Sequence, residues 1–533
     1  MDDSLLADSV STLIDVLAAK DNAVERPGQV EMVEAVATAL SGRQHLVVEA
    51  GTGTGKSLAY LIPAVLSGDR IAIATATKSL QNQLSDVELP FLDSQLPFPV
   101  TWSVVKGRQS YACMAKLVER FGPNLDGQGI AELFAEPGDD LDVVVEWIRD
   151  GGTGDRDDLP VAVADDVWRR ASVSGMECPG KASCPQGDNC FAEMAIDAAR
   201  DCQLIITNHH LYALHLASAR RILPEHDAVI FDEAHKLEAA SSSAFGVDVS
   251  GGRVTAFANN AQRLLPPSDR ERVVGALRAN ADRLGAVIRE LPEARLDPAE
   301  GEPGDAILGA IRAVAAAEKA LPKPDEDDPR VGAIARVRNQ GGHLQGDFGL
   351  ALDLPDGFVS WAESPRGVIR VAPIAVDASI ATNLLVHHPT IMTSATLTTG
   401  GSFAPLAARL GLSPRPIPED PAAFDVADPL PRTYDGLRVE GSFDFSRQGL
   451  LYTAAELPDP REDDWSAAAA AEARLLVEAS GGRALVLSTS FRMLSLIADG
   501  LAGLPFRVLV QGELPKRQLI SRFSASETSV LVA

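Results

Sequence analysis

The chain has 533 residues, of which 46% are hydrophobic and 23% charged, and its composition excludes the intrinsically disordered and membrane-embedded classes. The length exceeds what one hydrophobic core supports, so about two to four domains are expected. Forty-eight Lys and Arg oppose 74 Asp and Glu, which gives a net charge of −26. The overall charge therefore does not attract the protein to a polyanion, so any contact with nucleic acid must be local.

The first predicted element is an amphipathic helix at the N-terminus. Its apolar residues recur at helical spacing, and no basic leader or cleavage site precedes them, which argues against an export signal. These apolar residues are Leu5, Leu6, Val10, Leu13, Ile14 and Leu17. No uncharged apolar run approaches the roughly 20 residues that cross a bilayer. A cytoplasmic location without membrane contact is therefore expected.

The next element is a loop of Gly and Thr between a strand-like and a helix-like segment. It reads AGTGTGKS, from Ala50 to Ser57, and fits G-x-x-x-x-G-K-[ST] with Ala50 at the first glycine position. Small residues let backbone N–H groups form an anion nest at the start of a helix. Lys56 is predicted to contact the β and γ phosphates and Ser57 to contact Mg²⁺. The predicted ATP-binding residues of the loop are Gly51, Thr52, Gly53, Thr54, Gly55, Lys56 and Ser57. The plain alternative is a Gly-rich turn.

Five cysteines follow at widely separated positions. Cys178, Cys184 and Cys190 lie among Pro, Gly and polar residues where no core could form, so thiolate ligation is favoured over burial. Cys113, in KGRQSYAC, is a fourth candidate ligand. Zinc ligands usually come in pairs separated by about two to four residues, whereas both gaps in the triplet hold five. An iron–sulfur cluster and zinc both fit, and Cys202, which precedes an apolar strand, is predicted to be a core thiol.

A second acidic motif stands where a buried strand should end. In HDAVIFDEAHKL the apolar run Ala228–Phe231 is followed by Asp232 and Glu233. Asp232 is predicted to hold Mg²⁺, and Glu233 to polarise the water that attacks the γ-phosphate. Alone, such a string is equally consistent with acidic residues at a helix start. Its place downstream of a phosphate loop favours catalysis by Lys56, Asp232 and Glu233.

Six motifs in order now carry a family resemblance. They are RPGQ (26–29), AGTGTGKS (50–57), TATKSLQNQL (75–84), TNHHL (207–211), DEAH (232–235) and TSATL (393–397). Together they resemble superfamily 2 helicases of the DinG and XPD branch. The resemblance implies an α/β fold of RecA-like P-loop motor domains, with an inserted iron–sulfur domain and an inserted, mostly helical arch domain.

The resemblance also implies roles for individual residues. Arg26 and Gln29 would contact adenine, although spacing alone favours solvated residues at a helix start. Ser394, Ala395 and Thr396 would couple the ATP and nucleic-acid sites. The implied DNA-binding residues are Thr75, Thr77, Lys78, Gln81, Arg108, Asn208 and His209.

In this family the cysteine that ends a KGR-x-x-Y-x-C segment and a later group of three cysteines bind a 4Fe-4S cluster. Lys106, Gly107, Arg108 and Tyr111 match that segment, which implies the ligands Cys113, Cys178, Cys184 and Cys190. Basic and aromatic residues are interspersed in the same insertion. This pattern suits the binding of single-stranded DNA, whose backbone contacts cations and whose bases stack on aromatic rings, but it is also found on ordinary solvated surfaces. These residues are Arg108, Arg169, Arg170, Lys181, Tyr111, Trp168 and Phe191.

The predicted domains alternate between motor and insertion. Residues 1–105, 201–240 and 371–410 form the first RecA-like motor domain, interrupted by a cluster insertion (106–200) and a helical arch-like insertion (241–370). Residues 411–533 form a second motor domain. The family's SFWEGVD-type and Q-x-x-G-R-type motifs are absent from these 533 residues, so an incomplete second motor domain is expected, in a fragment or a truncated protein.

The leading hypothesis is an ATP-dependent DNA helicase, a hydrolase using ATP, Mg²⁺ and a 4Fe-4S cluster. By resemblance it would translocate 5′–3′ on single-stranded DNA, as a monomer, and unwind duplexes with a 5′ single-stranded tail in DNA repair or replication. One alternative is a truncated chain that binds ATP and single-stranded DNA without helicase turnover. Another is a P-loop ATPase with structural zinc and no role on DNA, which the charge of −26 favours.

Overall fold

The structure is a computed structural model. It describes residues 3–19, 26–122, 125, 141–325, 328–414, 431–441, 443, 445–514 and 516–533. Parts of the predicted cluster insertion (123–124, 126–140) and of the predicted second motor domain (415–430) therefore lie outside the described residues. The chain forms two compact units, one of Met1–Leu141 with Arg169–Phe443 and one of Asp142–Trp168 with Asp444–Ala533.

The described strands belong to three sheets. They are β1 (His45–Ala50), β2 (Ile71–Thr75), β3 (Trp102–Val104), β4 (Leu204–Asn208), β5 (Ala228–Asp232), β6 (Val247–Ser250), β7 (Phe358–Glu363), β8 (Val368–Pro373), β9 (Thr390–Ser394), β10 (Ser413–Pro414), β11 (Thr433–Val439), β12 (Ala484–Val486), β13 (Val508–Val510) and β14 (Val530–Val532). The largest sheet is entirely parallel, with the order β10-β11-β1-β9-β5-β2-β4-β3.

Helices connect these strands. In the first half of the chain they are α1 (Asp3–Ala18), α2 (Pro27–Ser41), α3 (Lys56–Leu66), α4 (Lys78–Gln83), α5 (Leu89–Gln95), α6 (Met114–Phe121), α7 (Asp142–Arg149), α8 (Asp165–Ala171), α9 (Phe191–Arg200), α10 (His209–Ala217) and α11 (Leu237–Phe245). In the second half they are α12 (Gly251–Gln262), α13 (Pro267–Glu290), α14 (Gly301–Ala320), α15 (Val331–Asp353), α16 (Asp377–Ile380), α17 (Ala404–Arg409), α18 (Phe445–Gln448), α19 (Trp465–Ala479), α20 (Phe491–Gly500) and α21 (Lys516–Ser524).

Both faces of the large sheet are covered, which explains why its central strands are continuous apolar runs rather than alternating patterns. On β2, Ile71 and Ile73 join one hydrophobic core, and Ala72 and Ala74 join the core on the opposite face. The predicted N-terminal helix is α1, and its Leu13 is fully buried in the first of these cores. Helices packed on both faces of a parallel sheet are the α/β arrangement that the sequence predicts.

The region predicted to be a helical insertion has a hydrophobic core of its own, extending in sequence from Val249 to Val371. Helices α12 to α15 contribute most of that core. In α13 and α14 the apolar residues recur at helical spacing, which predicts these two helices, as in Val273, Leu277 and Leu284 and in Ile307, Ile311 and Val314. An antiparallel sheet with the order β6-β8-β7 completes it, and the sequence analysis did not predict this sheet. Its strands are short and only half-buried, so their apolar signal is weak beside that of the long helices.

Strand β11 corrects one predicted boundary. It pairs with β1 in the large sheet, from His45 beside Tyr434 to Ala50 beside Val439. Residues 433–439 therefore do not belong to a second motor domain that begins at residue 411. Nothing local in the sequence TYDGLRV indicates which sheet the strand joins, because pairing partners are a long-range property of the fold.

The second unit contains a small parallel sheet with the order β12-β14-β13. Its core joins Ala470 and Val477 of α19 with Leu494 and Ile497 of α20 and with Val530 of β14. This part of the chain is therefore α/β, as its alternating apolar patterns predict. In the part of the chain that the structure describes, no helix is both long enough and apolar enough to cross a membrane.

Candidate active site

Three neighbouring strands bring the phosphate loop, DEAH and TSATL together. Strands β1, β9 and β5 are adjacent in the large sheet, and they end at Ala50, Ser394 and Asp232 respectively. Glu49 stands beside Ser394 in the register, and Asp232 stands beside Thr393. Because all three strands are parallel, their carboxyl ends meet at one edge of the sheet, where ligands of open α/β folds bind.

The phosphate loop has the backbone that an anion nest requires. Gly53 and Gly55 adopt left-handed conformations, with φ values of +79° and +82°. Such values are accessible to glycine at little cost and turn consecutive N–H groups toward one side. The Thr54 hydroxyl donates to the Gly51 carbonyl over 2.8 Å, and α3 begins at Lys56, so a helix N-terminus follows the loop directly.

Lys56 of the phosphate loop pairs with Glu233 of DEAH. Their Nζ and Oε1 atoms are 3.3 Å apart, and the two side chains are only 14% and 25% exposed. Glu233 has a left-handed backbone with φ of 59°, unusual for a residue with a side chain, directly after β5. The group predicted to stabilise the γ-phosphate and the group predicted to polarise the attacking water thus contact each other.

A short hydrogen-bond chain joins DEAH to TSATL. The buried Ser394 hydroxyl donates to Glu233 Oε2 over 2.8 Å, and His235 Nδ1 lies 2.7 Å from the same hydroxyl oxygen. Because the hydroxyl has one proton, His235 is the donor in the second bond. Burial raises the pKa of Glu233, but the bond from Ser394 and the charge of Lys56 outweigh it and lower that pKa. Glu233 is therefore held as a carboxylate.

Tyr60 contacts Asp232, one of the two predicted Mg²⁺ ligands, and no motif in the sequence points to it. Its fully buried hydroxyl donates to Asp232 Oδ2 over 3.4 Å and lies near Ser57, and burial raises the pKa of Tyr60 more than Ser57 lowers it. Burial raises the pKa of Asp232 to about 6, Lys56 opposes this rise, and Glu233 adds to it. A divalent cation would favour the ionised carboxylate, and Ser57 with Asp232 is a donor set that suits Mg²⁺.

Arg26 and Gln29 contact the phosphate loop. Arg26 Nη1 donates to the Gly53 carbonyl, and Gln29 Nε2 donates to the Gly55 carbonyl over 3.1 Å. Gln29 is buried, so it is not a solvated helix-start residue, whereas Arg26 is half-buried. The RPGQ motif therefore holds the phosphate loop through these two hydrogen bonds, and the contact of Arg26 and Gln29 with adenine stays a prediction.

Glu49 on β1 is a second residue that the sequence analysis missed. Its carboxylate accepts hydrogen bonds from the backbone N–H groups of Leu397 and Thr398, at 2.8 and 2.6 Å, and from the Thr398 hydroxyl at 3.0 Å. Arg438 of β11 pairs with it at 3.2 Å. Burial raises the pKa of Glu49, but these hydrogen bonds outweigh burial and lower it. Glu49 thus fixes the end of TSATL to the strand that carries the phosphate loop.

Replacing Glu49 with alanine should loosen the end of TSATL by about 1–3 kcal/mol, because two backbone donors and one hydroxyl lose their acceptor. Amide hydrogen exchange at Leu397 and Thr398 measures this as roughly tenfold to hundredfold faster exchange at pH 7. Because the pKa of Glu49 is lowered in the folded state, its contribution is present above the ordinary value of 4.5 and is lost as pH falls below it. The exposed Glu31→Ala variant is the control; equal exchange in both variants would contradict the role of Glu49.

The residues predicted to contact DNA are not equally accessible. Thr75, Gln81 and His209 are buried. Asn208 accepts from the Leu211 N–H over 2.8 Å and caps α10. Thr77 caps α4 in the same way, with Leu80 N–H as donor over 3.3 Å. Among these residues only Thr77 and Lys78 are exposed, whereas Arg108 forms an ion pair with Glu193. Most of this set therefore shapes the loops rather than presenting side chains to a ligand.

The cysteine cavity is the space lined by Cys113, Cys178, Cys184 and Cys190. None of the four forms a disulfide, and Arg108 lies among them. No three or more His, Cys, Asp or Glu side chains in the described ranges are placed to hold a single metal ion. The four thiols line one cavity, so they could serve together as ligands of one group, for which zinc and an iron–sulfur cluster are the candidates.

Cys202 lies outside that cavity, as predicted. It is half-buried beside β4 rather than deep in the core, so its interpretation as a core thiol is only partly right.

Comparison with known proteins agrees with this geometry. Residues 26–149 match the family described as DEAD/DEAH box helicase. A solved structure titled XPD_Helicase covers 95% of this chain, with 80% of its own length aligned, a TM-score of 0.50 and 14% identity. The phosphate loop, DEAH and this fold define a P-loop helicase with an α/β, RecA-like architecture.

Two relatives extend the similarity over almost the whole chain. The ATP-dependent helicase DinG of Mycobacterium tuberculosis is 33% identical over 98% of this chain and 80% of the relative. The ATP-dependent DNA helicase YoaA of Escherichia coli K12 is 28% identical over 95% of this chain and 78% of the relative. The chain belongs to the DinG family of ATP-dependent DNA helicases, which confirms the resemblance seen in its motifs.

Proposed function

We propose that this protein uses Mg²⁺-dependent ATP hydrolysis to translocate 5′–3′ along single-stranded DNA and to unwind duplexes that carry a 5′ single-stranded tail. The polarity and the 5′-tailed substrate are taken from the family resemblance, and the observation that supports the coupling of hydrolysis to movement is the chain of contacts from Lys56 through Glu233 to Ser394 and His235. It links the phosphate loop to TSATL, so a change at the γ-phosphate is transmitted to a second motif of the same sheet edge.

ATP binds with its phosphates in the nest formed by residues 51–55, on the N-terminus of α3 and beside Lys56. Ser57 and Asp232 hold Mg²⁺, which supplies charge neutralisation for the phosphates. Glu233 orients and polarises the attacking water once the incoming phosphates draw Lys56 away from it. Arg26 and Gln29 contact the adenine, and Ser394, Ala395 and Thr396 couple hydrolysis to DNA. Supporting this assignment, all the side chains that act on the phosphates meet at the ends of three adjacent strands.

Residues 106–200 form an iron–sulfur insertion in which Cys113, Cys178, Cys184 and Cys190 bind a 4Fe-4S cluster. The shared cavity of the four cysteines supports this assignment, and the five-residue gaps between Cys178, Cys184 and Cys190 favour a cluster over zinc. Residues 241–370 form an arch-like insertion, supported by their separate hydrophobic core. Residues 1–105, 201–240 and 371–410, together with β11, form the first motor domain, and a second begins after it.

The single strand of DNA passes the basic cavity, a space of about 500 Å³ between the cluster insertion and the helical insertion. Its cationic lining residues are Lys116, Arg120, Arg169, Arg170, Arg263 and Arg336, its amides are Asn259, Asn260 and Gln340, and its carboxylates are Glu119 and Glu177, so cations outnumber acids in the lining. Cations with amides are what phosphate contacts require, and such a local site accommodates a polyanion despite the net charge of −26. Exposed Thr77 and Lys78 add contacts beside the sheet. We propose that the protein acts as a cytoplasmic monomer in DNA repair or replication.

Unwinding of tailed duplexes tests this function. The anaerobically purified chain receives the same fluorescent duplex with a 5′ tail, with a 3′ tail or with blunt ends, with ATP and Mg²⁺. We expect single-stranded DNA to stimulate ATP hydrolysis and only the 5′-tailed duplex to separate. Separation of the 3′-tailed duplex alone would contradict the polarity. DNA binding without stimulated hydrolysis would instead describe a binding chain without turnover, and no binding at all would favour an ATPase without a role on DNA.

A further inference from the structure

Helix α15 of the helical insertion reaches the cysteine cavity. Arg336, on this helix, is 8% exposed and lines the cavity. Burial lowers its pKa, but Glu119 and the thiolates of the nearby Cys113 and Cys184 raise it. Its Nη1 donates to Glu119 Oε1 over 2.9 Å, and its Nη2 contacts the other carboxylate oxygen. Glu119 lies on α6 and does not line the cysteine cavity, so the positive member of this pair faces the thiols.

The same face of α15 holds the backbone that carries Cys178. Asn339, three residues beyond Arg336, donates through Nδ2 to the carbonyl of Met176 over 2.8 Å and to that of Cys178 over 3.0 Å. At the start of the helix, Gly332 lies against Pro185, the residue after Cys184, so closely that a Cβ would be 3.0 Å from its Cγ. The insertion therefore contacts the cluster segment next to two of its cysteines.

A buried cation beside a 4Fe-4S cluster has a defined electrostatic effect. With four thiolate ligands the cluster is negative in both oxidation states, and reduction by one electron adds a further negative charge. A guanidinium in the low-dielectric wall stabilises the reduced state more than the oxidised state, which raises the reduction potential. Charge outside the ligand set is one of the means by which proteins set cluster potentials.

We propose that the helical insertion raises the reduction potential of the cluster bound in the cysteine cavity through the positive charge of Arg336. The proposal rests on the 4Fe-4S assignment above. It also makes the insertion part of the cluster's environment, since Arg336 adds a charge to a cavity that Arg108, Lys181 and Glu193 also line, and it comes from a segment more than 200 residues from Cys113.

Two variants separate this electrostatic role from a merely structural one. Arg336→Gln and Glu119→Gln break the same ion pair but remove charges of opposite sign. We expect the midpoint potential to fall in the first and to rise in the second, each by about tenfold in the reduction equilibrium constant, or about 59 mV for one electron. Arg336→Lys keeps the charge and should stay near the parent. Anaerobic spectroelectrochemical titration, following absorbance at about 400 nm and the EPR signal of the reduced cluster, measures all four proteins.

The outcomes are distinct. Opposite shifts in the two glutamine variants support the proposal, and if Arg336→Gln fails to assemble, a rise in Glu119→Gln with little change in Arg336→Lys supports it still. Shifts in the same direction, or none, overturn the proposal and leave the cluster assignment standing. A parent protein that contains zinc, or neither iron nor absorbance at about 400 nm, overturns the cluster assignment itself and the proposal with it.

Discussion

Replacing Glu233 with glutamine is expected to lower the rate of ATP hydrolysis by about 100- to 10,000-fold while ATP binding is retained. The amide cannot polarise the attacking water, yet it keeps the shape of the side chain and can still accept the bond from Ser394. Lys56 loses its carboxylate partner and is available to the phosphates, so the affinity for ATP should be unchanged or higher. Steady-state phosphate release with and without single-stranded DNA, together with equilibrium binding of a fluorescent ATP analogue, measures both quantities.

The control for this variant is Glu271→Gln, an exposed carboxylate on α13. Hydrolysis within a few-fold of the parent in Glu233→Gln would show that another group activates the water. A parallel loss of binding and hydrolysis would show that Glu233 acts on the structure of the loop instead.

The second large effect is expected from Lys56→Ala, which should abolish hydrolysis and also weaken ATP binding. The ammonium group of Lys56 is the positive charge of the phosphate loop. Sites that transfer phosphoryl groups work by stabilising the negative charge on that group, so the loss of this ammonium group should slow hydrolysis strongly. A loss on the order of 1,000-fold in kcat/KM corresponds to about 4 kcal/mol of transition-state stabilisation. ATP binding by calorimetry and phosphate release distinguish this profile from that of Glu233→Gln, in which binding survives.

Lys319→Ala, an exposed lysine on α14, is the matched control for a lost positive charge. The Lys56→Ala protein should keep its far-ultraviolet circular dichroism and the absorbance of any bound cluster, because Lys56 lies far in sequence from the four cysteines and does not line their cavity. Parental turnover in Lys56→Ala would refute the assignment of the phosphate loop.

The sequence was most informative where chemistry depends on neighbouring residues. The phosphate loop and the cysteine triplet are recognisable because the local composition of each makes little sense without a ligand, and DEAH is recognisable because it follows a buried strand downstream of that loop. Lys56 and Glu233 could be named in advance on that basis and Ser394 from the family resemblance, and the structure brings the three together. The long helices α13 and α14 were equally predictable, since an apolar stripe that keeps helical spacing over many residues is typical of an amphipathic helix.

What the sequence did not reveal depends on distant segments meeting. Glu49 looks like a charged residue on a strand until TSATL is placed beside it, and Tyr60 looks like one more apolar residue of α3 until Asp232 approaches. Arg336 lies in a helix with no local sign of a partner, although it lines the cysteine cavity. The sequence also did not reveal that Thr75, Gln81 and His209, which the resemblance associates with DNA, are buried, and their contact with DNA stays a prediction. Residue type and spacing do not report which way a side chain points.

The position of β9 has a consequence for how the chain folds. This strand lies between β1 and β5, although it follows β5 in the chain by more than 150 residues and β1 by more than 300. During synthesis β1 and β5 emerge with a gap between them that only Thr390–Ser394 fills. The segment of α12 to α15, which has its own core, is synthesised after β5 and before β9, so it can fold before the large sheet is complete. Contacts of such long sequence separation form slowly. The nascent motor therefore stays open at its centre, with unpaired strand edges, until β9 arrives, and chaperone protection during that interval is most needed there.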